Sequence, residues 1–173
     1  MDLGTEGSGV SVPSWLRAVL ITLVVALVAY LAIYGAFALL LHTSSPFCVV
    51  TSDSMRHGGE GWREYFTERG IDTSGFPFQG GFERGDILVV QGCSPDEISV
   101  GDVIVFSVPG QGDLTHRVVE RIETGEGPRF RTKGDANPDS IWFEQSITPE
   151  RIKGKAVAVI PKLGHIWLFF SGR

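Results

Sequence analysis

From Ala18 to Leu41 the chain runs 24 residues without a charged side chain. At about 1.5 Å rise per residue such a run makes a helix of roughly 36 Å, longer than the roughly 30 Å hydrocarbon slab of a bilayer. Trp15 stands at its entry, where an indole suits the headgroup layer. A cleavable secretory signal would have an apolar core of roughly 7–15 residues closed by a small-x-small site. Here the run is longer, and Leu40-Leu41-His42-Thr43-Ser44-Ser45-Pro46 offers no such site, so 15–42 is read as a fixed transmembrane anchor. Arg17 is the one basic side chain close before the run, and no Lys or Arg follows until Arg56. Positive charge tends to stay cytoplasmic, which predicts a single-pass protein of the cell membrane, N-terminus inside and the 132 residues after Leu41 outside.

Those 132 residues are enough for one small domain with a modest core. A formal charge of -5 and the lack of a basic run give no reason to expect nucleic acid as a partner. Cys48 and Cys93 have no CxxC or Cys/His spacing suited to zinc, and are expected as unpaired, partly buried thiols.

Short β-rich runs fill the domain. Phe47–Thr51, Asp86–Gln91, Asp102–Ser107, Leu114–Glu123, Arg129–Lys133 and Lys155–Ile160 are separated by Gly and Pro, and two of them are introduced by Gly-Asp turns. Leu114–Glu123 alternates apolar and polar residues, as a half-buried strand does. The fold class is therefore mainly β: a small coiled antiparallel sheet or partial barrel preceded by one N-terminal transmembrane helix. Residues 1–14 are Gly/Ser-rich and expected to be a disordered tail. The β-rich domain is expected over 43–162, with 56–82 as a flap whose Trp62, Tyr65, Phe66 and Arg69 recur at helical spacing and whose aromatics pack onto the sheet. The tail 163–173 is apolar, and Leu163–Phe170 is too short to span a bilayer. A terminal strand, an interfacial contact and the stub of a second helix all fit it.

Three clusters carry chemistry: Thr51-Ser52-Asp53-Ser54-Met55, Thr115-His116-Arg117-Val118-Val119 and Thr132-Lys133-Gly134-Asp135-Ala136-Asn137-Pro138-Asp139. They offer a hydroxyl nucleophile, an imidazole base and carboxylates to orient it, the parts of a serine hydrolase. An imidazole titrating near pH ~6.5 is available as a neutral base at neutral pH. Each residue has a plainer reading: Ser54 as a turn residue, His116 as a satisfied strand residue, Asp135 and Asp139 as Asx-turn formers around Asn137-Pro138. Lys133 is a rival base, but Asp135 beside it is expected to raise its pKa rather than lower it toward 7.

Taken in order, Ser52-Asp53-Ser54-Met55, Gly85-Asp86-Ile87-Leu88-Val89, Gly101-Asp102-Val103-Ile104-Val105-Phe106, Thr115-His116-Arg117-Val118-Val119 and Lys133-Gly134-Asp135-Ala136-Asn137 resemble the boxes of type I signal peptidases. The likeness is to the archaeal and endoplasmic-reticulum branch, since His116 stands where most bacterial enzymes carry lysine. It covers roughly Val49 to Pro161 and implies Ser54 as acylated nucleophile, His116 as general base and Ser52 as an oxyanion-hole hydroxyl. Asp135 and Asp139 are the candidates for the carboxylate that orients His116, with Asp139 favoured for that contact and Asp135 for shaping the site. The chain departs from the family in the four-residue spacing of those aspartates, in Arg56-His57-Gly58 where a proline is usual, and in the 27-residue flap.

The implied function is removal of signal peptides from exported preproteins at the membrane, with membrane lipid and the export machinery as further partners and no metal or cofactor. Two alternatives remain: a catalytically inactive, membrane-tethered binding domain, and a peptidase for another membrane-linked substrate.

Overall fold

The computed structural model describes residues 13–59 and 61–172. The tail expected over 1–14 falls outside them for residues 1–12. The chain divides into two units, one ending at Phe37 and the other running from Ala38.

Helix α1 (Ser14–Leu40) spans 27 residues and has no buried residue. Its apolar side chains lie on every face, so it has no polar face to present to water. Its length and composition suffice to cross a membrane.

The second unit is a six-stranded, wholly antiparallel sheet: β1 (Phe47–Val49), β2 (Ile87–Gln91), β3 (Val103–Val108), β4 (Gly112–Thr124), β5 (Gly127–Lys133) and β6 (Ile152–Ile160). Their spatial order is β1-β2-β6-β3-β4-β5. The two Gly-Asp signals work alike. Gly85 (φ 90) and Gly101 (φ 97) adopt a conformation that side chains with a Cβ disfavour. The Asp that follows each accepts a backbone N–H from three residues upstream, Glu83 to Asp86 and Ser99 to Asp102, both at 2.9 Å.

Strand β3 lies inside the sheet and is buried on both faces, which explains the unbroken apolar run Val103–Phe106. Val103 and Val105 join Met55, Leu88, Val90 and Phe82 in one core, while Ile104, Phe106 and Val108 join Val118, Phe130, Phe143 and Ile147 in another.

Strand β4 corrects the half-buried expectation. His116, Arg117, Val118 and Val119 are all buried in succession, because the flap covers the face that alternation assigns to water. A bulge between Val118 and Glu120 leaves Val119 unpaired and turns it toward the flap. There it packs with Trp62 and Phe66 of helix α2 (Gly61–Thr67), so the helical spacing of these aromatics and their packing onto the sheet are both observed. The 163–173 tail forms helix α3 (Gly164–Ser171) rather than a strand. Cys48 and Cys93 are free thiols of intermediate exposure.

Candidate active site

Strand β1 delivers the chain into the turn 52–55, and that turn is held on several sides. Met55 is buried in the core, and its carbonyl accepts the N–H of Phe82 at 3.1 Å. The Ser54 carbonyl accepts the N–H of Ala136 at 2.8 Å, and the Asp53 carboxylate accepts the N–H of Arg84 at 2.9 Å. Ser54 is thereby fixed by its neighbours' burial and its own backbone, while its hydroxyl is left to chemistry.

His116 reaches that hydroxyl from β4, where it pairs with Ile104 of β3. Its Nε2 lies 2.9 Å from Ser54 Oγ. Its Nδ1 is hydrogen-bonded to Glu144 Oε1, a contact between two buried side chains. A carboxylate can only accept, so Nδ1 carries the proton and Nε2 presents its lone pair to the Ser54 hydroxyl. Ser52 Oγ stands 3.2 Å from Ser54 Oγ. A serine activated by a base, with the base oriented by a buried acid, is the arrangement nucleophilic catalysis requires.

Glu144 was not among the expected residues. It closes the 3-10 turn Trp142–Glu144 and is fully buried. Its Oε1 also accepts the Thr132 hydroxyl at 3.1 Å, and its Oε2 accepts the N–H of Ile141 at 3.0 Å. The segment is pinned beside β5 by paired backbone bonds between Ile147 and Phe130, 2.7 and 2.9 Å long. Three donors and a tight turn thus hold an acid where a charged residue would otherwise be costly. The sequence signal was faint: an acid directly after the apolar triplet Ile141-Trp142-Phe143.

Neither aspartate orients His116. The Asp139 side chain is 68% exposed and binds Arg131 at 3.1 Å and the N–H of Ser140 at 2.7 Å. Its pKa is lowered, chiefly by the Ser140 N–H. The turn at Asn137-Pro138 carries it out to solvent, away from the contact favoured for it.

Asp135 is buried and faces another pair. Arg117 donates to it from Nε at 3.0 and 3.1 Å and from Nη2 at 2.7 Å, and His57 Nε2 lies 2.8 Å away. Burial works against the charged carboxylate, but the His57 and Arg117 hydrogen bonds and the guanidinium charge outweigh it, holding the pKa below its ordinary value. Arg117, fully buried, also donates to the carbonyls of Pro77 and Gly101 and lies over the Trp62 ring at 4.7 Å. Asp135 therefore fastens the flap to the strand that carries His116.

Lys133 also departs from expectation. Burial pushes its pKa down, more strongly than Asp135, Asp139 and Glu144 push it up. Its Nζ is spent on the carbonyls of Gly134 at 3.0 Å and Asn137 at 2.8 Å, where it staples the loop rather than serving Ser54.

Beside Ser54 and His116 is a cleft of about 30 Å³, walled by Cys48, Val50, Ser52 and Leu114 among others. A larger, open cavity of about 650 Å³ lies between the flap and residues 133–138, and neither Ser54 nor His116 lines it. The small cleft is therefore the one tied to the reacting groups, whatever the larger one's size. Among the described residues no group of three or more His, Cys, Asp or Glu is placed to hold a metal.

Among curated proteins the chain is similar to the Signal peptidase complex catalytic subunit SEC11 of Metarhizium acridum, at 31% identity over 97 residues, 52% of this chain and 56% of that protein. The protein of the same name from Leptosphaeria maculans is 34% identical over 98 residues, with the same two shares covered. That from Neurospora crassa is 30% identical over 97 residues. The chain spans about half the length of the curated relatives it matches. No family model matches it.

Proposed function

We propose that this chain is a membrane-anchored serine endopeptidase that removes signal peptides from exported preproteins. The observation that carries this reading is the hydrogen-bonded line from Ser54 through His116 to the buried Glu144. As Ser54 Oγ attacks the scissile carbonyl, His116 Nε2 takes its proton and then delivers it to the leaving amine. The C–N bond breaks and the signal peptide is held as an ester on Ser54. His116 then deprotonates a water that hydrolyses the ester and restores the hydroxyl. Glu144 stabilises the imidazolium that forms in each half-reaction.

Ser52 and the backbone N–H of Ser54 are the proposed donors to the tetrahedral oxyanion. Loss of one such donor commonly costs about 2.7–4 kcal/mol, so Ser52→Ala is expected to lower kcat about 100- to 1,000-fold. Steady-state cleavage of a preprotein by the two proteins checks this.

Substrate size follows from the cleft. A space of about 30 Å³ beside the nucleophile has room for a small side chain and not a bulky one. This supports cleavage after small residues, as at signal-peptide junctions. Helix α1 supports a single-pass placement in a membrane, and Arg17, the one basic side chain close before the apolar run, supports a cytoplasmic N-terminus with the β-domain outside. The name of the relatives, a catalytic subunit of a complex, supports partner subunits or export machinery beside the preprotein and lipid. The reading needs no metal or cofactor.

The test is cleavage of a signal-bearing preprotein by the detergent-solubilised chain, with the new N-terminus sequenced. We expect a cut after a small-x-small motif, lost in Ser54→Ala and His116→Ala. Cleavage that survives His116→Ala would sink the proposed base.

A further inference from the structure

We infer that the open cavity of about 650 Å³ between the flap and residues 133–138 is a binding site for the mature part of the substrate, the extended segment just beyond the scissile bond. This rests on the peptidase reading and deepens it, because it assigns recognition to both sides of the cut. The nucleophile turn is a ridge between two hollows. Ser52 and Ser54 line the small cleft, Asp53 and Arg56 line the large cavity, and no residue lines both. The opposite wall of the large cavity also reaches the nucleophile, since the N–H of Ala136 donates to the Ser54 carbonyl at 2.8 Å. A preprotein does not end at the bond that is cut. With a small side chain seated in the cleft, its mature part leads across this ridge into the large cavity.

The cavity is built before any substrate arrives, which lowers the ordering cost of binding. The cluster that fastens the flap forms part of its wall: His57 stacks on Trp62 with ring centroids 4.7 Å apart, and His57 Nε2 lies 2.8 Å from Asp135 Oδ2. Gly134 lets the opposite loop close in. A Cβ there would lie 2.7 Å from Asn137 Nδ2 and 2.9 Å from the Ser54 carbonyl oxygen, so the Asn137 amide comes up against the nucleophile turn only because residue 134 is glycine. The volume falls within the roughly 300–1,000 Å³ of pockets that hold a compact ligand. Its open side leaves the rest of the mature protein outside.

The polar groups of the wall point to a main chain as the ligand. Among the described residues no hydrogen bond engages the Asn137 side-chain amide, although its backbone is bonded on both sides. Trp62 is 3% exposed and lines the same cavity, and its Nε1–H has no acceptor among the described residues. Gly58 and Gly59 add a stretch of wall without side chains, where a Cβ on either would meet nothing within 4 Å. Uncommitted amides and open backbone are partners for the N–H and C=O groups of an extended peptide, whatever its side chains. Two departures from the family pattern, Arg56-His57-Gly58 and the long flap, supply one side of this site.

The experiment uses the full detergent-solubilised chain as Ser54→Ala, which holds a signal-bearing preprotein uncut. The preprotein carries a photoreactive diazirine side chain at the second residue of its mature part and is kept below saturation. Mass spectrometry locates the crosslinks, and near-ultraviolet circular dichroism checks that each variant is folded. Wild type incubated with the same preprotein tests the peptidase reading separately. We expect crosslinks within 56–65 and 136–138, with a yield about tenfold lower when Asn137→Ala is added, the scale of one lost hydrogen bond. Cleavage by wild type together with crosslinks elsewhere in the chain, or with a yield unmoved by Asn137→Ala, overturns the inference and leaves the peptidase reading standing. No cleavage by wild type removes both.

Discussion

Glu144→Gln is expected to lower kcat about ten-thousand-fold while leaving the fold in place, the scale seen when the acid of a serine triad is replaced by its amide. The hydrogen-bond directions explain why. Oε2 accepts a backbone N–H from Ile141, so an amide must place its oxygen there and its NH₂ at the Oε1 position. That NH₂ faces His116 Nδ1, which must then accept, leaving the ring proton on Nε2. In that tautomer Nε2 cannot take the Ser54 proton. Asp139→Asn is the control: its side chain is exposed and bound to Arg131, so kcat should stay within about twofold. Cleavage rates of one preprotein by the three proteins check both, and equal losses in the two variants would return Asp139 to the site.

Asp135→Ala should act on stability first. It leaves the Arg117 guanidinium, fully buried, without its carboxylate, and breaking one side of a buried ion pair typically costs about 3–5 kcal/mol. For a domain of this size that corresponds to a fall in Tm of roughly 10–20 °C. The pH dependence has a definite sign. The carboxyl is held below its ordinary value of 3.8 in the folded protein, so its contribution is present above that pH. It is lost as pH falls through the lower, folded-state value. Thermal melts of wild type and Asp135→Asn should therefore differ most near neutral pH and converge in acid. The flap is fastened through this pair, so proteolysis within 56–82 should also accelerate in the variant.

The strands were legible in the sequence because β-rich runs and Gly-Asp turns are local signals, and all six lie close to where those signals fall. Ser54 and His116 were legible as residue types in ordered boxes, and the sheet brings them to 2.9 Å. The acid was not legible. Asp135 and Asp139 sit beside the Lys133-Gly134 box, but side-chain direction in that loop is decided by Arg117, His57 and Arg131, all distant or strand-borne partners. Glu144 is 28 residues past His116, in a turn with no periodic pattern, and reaches the imidazole only through packing of Phe143 and pairing of Ile147 with Phe130. The double burial of β4 was hidden for the same reason: its second face is covered by a flap whose helix shows its own spacing but not its destination. Burial also reversed the direction expected for Lys133, an effect that the neighbouring charge in sequence does not reveal.

The central claim is that Ser54 is a nucleophile activated through His116 and Glu144. Covalent labelling tests it most directly: the solubilised chain is treated with a small serine-acylating probe, and the modified residue is located by mass spectrometry. The account predicts a single adduct on Ser54, formed rapidly by wild type and by Asp139→Asn and slowed by orders of magnitude in His116→Ala and Glu144→Gln. An adduct on another serine, or labelling of Ser54 at the wild-type rate without His116, would contradict it.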